Sequence, residues 1–86
     1  MTQKESRAVA YRLGHHFARK LLGRGKRPDS VRLAMERAQE HLLEIRAYSS
    51  ELDEMKRSGV EDALAGKPID PRYATPGAPR GGRRQP

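Results

Sequence analysis

Residues 29–58 read DSVRLAMERAQEHLLEIRAYSSELDEMKRS, and how far this run stays helical decides the fold. Val31, Ala38, Ile45 and Leu52 recur every seven residues at one core position of a heptad. Ala34, His41, Tyr48 and Met55 recur at the other, and Met35 and Leu42 broaden the seam, as a bundle helix requires. Asp29 or Ser30 suits the start of such a helix, because a short oxygen-bearing side chain accepts from the free amides of the first turn. With Gly59 as the stop, the pattern predicts one helix over residues 30–58.

The preceding segment predicts a second helix over residues 3–22. Thr2 and Glu5 have capping-box spacing, Val9, Leu13, Phe17 and Leu21 repeat every fourth residue, and Gly23 follows as a stop. The connector from Gly23 to Pro28 is short, so the expected architecture is an all-α antiparallel hairpin. Ser58 with Glu61 predicts a further short helix over residues 59–65, ahead of Gly66 and Pro68. Residues 1–66 then make one helical hairpin domain. Residues 67–86, dense in Pro, Gly and Arg, are expected to be a disordered basic tail, because they hold too little apolar surface to offset chain entropy.

Size argues for partnering. The chain has 86 residues, 35% of them hydrophobic, with one Phe, no Trp and no Cys, so a self-sufficient core is thin and no disulfide can supplement it. A first helix of about 20 residues, at 1.5 Å each, covers only part of a second of nearly 30. Tyr48, Leu52 and Met55 are left overhanging. The expected remedy is a homodimer forming a helical bundle, with Ala38, His41, Leu42, Ile45, Tyr48, Leu52 and Met55 as interface and His41 setting register from within the seam.

Charge is sorted by segment. Residues 1–28 carry eight Lys/Arg against one acid, residues 29–64 five against nine, and residues 65–86 five against one. A net +7 in the first block exceeds what solubility requires and points to a polyanionic partner. Arg12, His16 and Arg19 lie near one another away from the Val9, Leu13 and Phe17 stripe of the first helix, and with Lys20, Arg24, Lys26 and Arg27 they form a cationic rim suited to phosphates. The competing reading pairs these bases with Glu36, Glu40 and Glu44 of the second helix.

The expected function is therefore a small nucleic-acid-binding accessory protein with little sequence specificity, since only Tyr11 among the aromatics lies near the rim. The alternative is an adaptor or inhibitor whose basic face docks on an acidic protein surface. The connector Gly-Arg-Gly-Lys-Arg-Pro resembles a minor-groove hook but has two bases where one belongs. A helix-turn-helix is excluded, because the second helix is too long and acidic to lie in a major groove. One Arg-Gly-Gly unit in the tail adds only charge.

Catalysis is not expected. Ser49 and Ser50 lack a neighbouring base, Asp53 and Glu54 point apart on what reads as an exposed helix, and a small helical hairpin offers no deep pocket. His41 with Glu40 or Glu44 falls short of a metal shell, so no metal, cofactor or small-molecule substrate is expected. The longest apolar run, Ala8 to Tyr11, predicts neither a signal peptide nor a membrane span, and hence a soluble, cytoplasmic protein.

Overall fold

The computed structural model describes residues 2–74. It is all-helical: α1 spans Gln3–Gly23, α2 Pro28–Glu44 and α3 Ser50–Leu64, followed by a single 3-10 turn over Pro71–Tyr73. The first helix starts as its sequence predicts. Thr2 Oγ1 accepts from the Glu5 amide at 3.1 Å while Glu5 Oε1 accepts from the Thr2 amide at 3.1 Å, closing a capping box.

The expected helix over 30–58 is two helices. α2 starts at Pro28, with Arg27 as N-cap and neither Asp29 nor Ser30 in that role; the fixed φ of proline suits the first helical position. It stops at Glu44 in a complete Schellman arrangement, the Ala47 amide donating to the Leu42 carbonyl at 2.8 Å and the Arg46 amide to Leu43 at 3.2 Å. Arg46 takes the left-handed conformation this requires, with φ 57°. The ends of α1 and α3 close in the same way around Gly25 and Gly66, so Arg46 does with a side chain what glycine does elsewhere. Ser49 then caps α3, its Oγ accepting from the Leu52 amide at 3.3 Å. The expected short helix over 59–65 is the second half of α3, and Ser58 lies inside it rather than capping it.

Gly59 does not stop the helix either, because tertiary packing needs it there. α1 packs chiefly on α3. Contacts advance together along both, from Arg7 with Glu51 to Gly14 with Lys56 and Ala18 with Val60 and Ala63, so the two run in the same sense. Small residues at four-residue spacing bring the backbones close: Ala10, Gly14 and Ala18 on α1, Gly59 and Ala63 on α3, all buried. A Cβ on Gly14 would land on the Lys56 carbonyl, and one on Gly59 on the Tyr11 carbonyl and 2.8 Å from the His15 amide. α2 lies antiparallel to α3, tied by Arg32 to Glu61 at 3.0 Å and by Gln39 to Arg57. Ala18, Val31, Met35, Val60 and Ala63 form the core, with Phe17, Leu21, Leu22 and Leu64 packed around it.

Residues 67–74, expected as the start of the tail, are docked on α1. The Tyr11 hydroxyl donates to Asp62 Oδ2 at 2.5 Å and accepts from the Asp70 amide at 3.1 Å. The Tyr73 ring sits 4.7 Å from that of Tyr11. The rest of the expected tail lies outside the described residues.

Candidate nucleic-acid interface

The site is built where α1 ends. Its last turns carry Arg19 and Lys20, the Schellman turn displays Arg24 and Lys26, and Arg27 precedes the first turn of α2; all five side chains are exposed, as is that of His16. Chain reversal at Gly25, with φ +83°, is what gathers the connector bases beside those of the helix.

Lys67 joins this group, and no spacing rule in the sequence links it to Arg19. The link is His15, which is 1% exposed and whose Nε2–H donates to the Lys67 carbonyl at 2.8 Å. That bond carries the chain leaving α3 back across α1. Arg19, Leu22, Ala63, Gly66, Lys67 and Pro68 then line one open notch, and His16, Arg19, Lys20 and Ile69 line its neighbour beside His15.

Two helix C-termini, those of α1 and α3, also point here, each contributing roughly −0.5 charge. They offset about one of the cations Arg19, Lys20, Arg24, Lys26, Arg27 and Lys67. The remainder is uncompensated. Among the described residues no ion pair involves these side chains: Glu51, Asp29, Glu61, Asp53 and Asp70 pair instead with Arg7, Arg32, Arg57 and Arg72. The partner guanidiniums, through hydrogen bonds and charge, hold the Glu51, Glu61 and Asp70 carboxyls below their ordinary pKa. The pairing of the rim with Glu36, Glu40 and Glu44 is not formed.

Two members of the expected site change role. Arg12 is half-buried, and its Nη1 donates to the Tyr73 carbonyl at 2.7 Å, so it fastens the 3-10 turn to α1 instead of facing outward. Tyr11, the one aromatic expected near the rim, is 1% exposed, and burial with the Asp62 hydrogen bond raises its pKa. The described rim therefore has charge but no exposed aromatic for stacking on bases.

The expected interface is scattered over three elements. Ala38 and His41 are exposed on α2, Ile45 is 55% exposed at its cap, and Leu42, Tyr48, Leu52 and Met55 are half-buried. His41 is thus not a buried register pin; the buried imidazole is His15, which the sequence reading passed over. Ala38, Leu42 and Leu52 do come together, facing Val9, Leu13 and Phe17 of α1 across an open apolar groove. Asp53, read as exposed, is 6% exposed and accepts from Arg57 Nε at 2.7 Å. Among the described residues no cluster of three metal-ligating side chains occurs, and no helix is long and apolar enough to cross a membrane.

No protein-family model, curated protein or solved structure matches the chain.

Proposed function

We propose that this chain is a small dimeric accessory protein that lies on nucleic-acid phosphates through the end of α1, the α1–α2 connector and Lys67. The observation that carries the reading is the division of labour among its cations. Arg7, Arg32, Arg57 and Arg72 pair with Glu51, Asp29, Glu61, Asp53 and Asp70, and Arg19, Lys20, Arg24, Lys26, Arg27 and Lys67, gathered at one end of the fold, face outward without a partner among the described residues. A rim that existed only to stabilise the fold would have drawn acids to itself. Without an exposed aromatic beside it, such a rim reads charge and spacing rather than base identity.

Salt dependence tests this. If about six phosphates are neutralised, affinity for a 20-base-pair duplex falls about 10³-fold between 50 and 200 mM salt. Changing Arg19, Lys26, Arg27 and Lys67 to Gln is expected to lower the slope of log affinity against log salt by about 0.9 per contact, equally for unrelated sequences, with little change in melting temperature. Undiminished binding by this variant removes the rim from the function. Absence of binding by the wild type at 50 mM salt favours the other class of partner, an acidic protein surface.

A further inference from the structure

The groove between α1 and α2 is an apolar feature that the nucleic-acid reading leaves without a use. Its walls are Val9, Leu13 and Phe17 on one side and Ala38 and Leu42 on the other, with Leu52 of α3 between. Leu13, the middle of the stripe that should seal the core, is 55% exposed, and Ile45, three residues beyond Leu42 at the α2 cap, is equally so. Helices meeting mainly through small residues leave the larger apolar side chains outside. Residues 75–86 hold no large apolar side chain to match this surface.

The charge pattern along α1 selects an occupant. Glu5, Val9, Leu13, His16 and Lys20 all fall within about 80° of Leu13 at 100° per residue. From the N-terminal end the charged and larger apolar residues of this face therefore read acid (Glu5), apolar (Val9 and Leu13), imidazole (His16), apolar (Phe17) and base (Lys20). Glu5 is held ionised there, its pKa lowered by the hydrogen bonds to Thr2. We propose that a second copy of this chain covers the groove, its α1 crossing antiparallel over the first with the two-fold axis at Leu13. That register sets Val9 against the second copy's Phe17 and brings Lys20 within one residue of its Glu5. A parallel pairing would stack Lys20 on Lys20. Because Leu42 lines the groove at the level of Leu13, the same axis sets Ile45 over the second copy's Ala38. The complementarity is between the face and itself, as an isologous interface demands. The two phosphate-binding rims, now Arg19, Arg24, Lys26, Arg27 and Lys67 with Lys20 turned to the second copy's Glu5, then lie at opposite ends of the dimer.

The proposal rests on the dimeric part of the function above and adds the face and register, which are separable by experiment. The native chain has no Cys, so single cysteines report cleanly. Helices packed 10 Å apart with both Cα atoms facing inward leave about 5 Å between them, within disulfide reach. Leu13→Cys is expected to oxidise to a covalent dimer. Leu43→Cys, 53% exposed on the outer side of α2, is expected not to. In sedimentation equilibrium the wild type is a dimer at 100 µM and Leu13→Arg a monomer of unchanged helicity, since Leu13 is not core within one copy. Glu5→Gln, which keeps the capping hydrogen bonds, and Lys20→Gln each weaken dimerisation about two- to five-fold at low salt, and together little more than either alone. A wild type that stays monomeric at 100 µM overturns the dimer and this face together. A dimer that survives Leu13→Arg, or cross-links better through Leu43→Cys, overturns the face alone.

Discussion

Replacing Gly59 by Ala sets local propensity against tertiary packing, and the two give opposite signs. In the interior of a helix, Gly to Ala stabilises by up to about 1 kcal/mol, because Ala loses less backbone entropy and buries a methyl group. By that rule Gly59→Ala, in the middle of α3, raises the melting temperature. The structure argues otherwise. The new Cβ meets the Tyr11 carbonyl and the His15 amide, both backbone atoms of α1 that no rotamer change can move. To admit it the helices must part, which loosens the contact of Ala10, Gly14 and Ala18 with α3 and disturbs the His15 and Tyr11 hydrogen bonds. Overpacking of this kind costs about 1–3 kcal/mol, and a parted interface adds the loss of dispersion contacts. Set against the propensity gain, the net expectation is a loss of about 2 kcal/mol, or roughly 8–16 °C in a domain of this size. Thermal unfolding followed by far-ultraviolet circular dichroism measures it. Gly23→Ala is the control: it ends α1 with nothing within 4 Å of its added Cβ, and is expected to be neutral or stabilising. An unchanged or higher melting temperature for Gly59→Ala would refute the close crossing of α1 and α3 as the organising contact.

Two further outcomes follow from the caps and the ion pairs. Arg46→Gly relieves a side chain held at φ 57° and is expected to raise the urea midpoint, gaining about 0.5–1 kcal/mol after the extra freedom of glycine in the unfolded chain is subtracted; a loss would mean that the Arg46 side chain itself holds the α2–α3 turn. The Glu51, Glu61 and Asp70 carboxyls titrate below their ordinary values when folded, so their contribution is present above about pH 4.5 and is lost as pH falls through the lowered folded values. Melting temperature should therefore drop from about pH 4.5 downward, and Arg32→Gln, which frees Glu61, should shrink that drop.

Helix content and the placement of bases were legible in the residues themselves, and the break in the middle was not. Thr2 and Glu5 form the capping box their spacing announces, because a cap is made of neighbours in the chain. Ser49 caps α3 in the structure, but in the sequence the heptad from Val31 to Met55 runs straight through it. Heptad spacing alone does not make a continuous helix: Ala38, His41 and Ile45 are exposed on and beside α2, while Leu52 and Met55 belong to α3. Arg46 hid the stop, since a left-handed residue is legible only when it is Gly or Asn.

The amino-acid sequence by itself determined an all-helical chain, a cationic rim ending the first helix, and an apolar surplus that one small core does not absorb. These depend on periodicity, local caps and charge, which are properties of residues close in the chain. Only the tertiary structure decided that Gly14 and Gly59 are a helix contact rather than breakers, that His15 draws Lys67 into the rim, that Arg12 and Tyr11 leave it, and that Leu13 faces outward. Each of these joins residues more than 40 positions apart or depends on which helix lies nearest. That choice follows from how closely two backbones can approach, and no single segment carries the information.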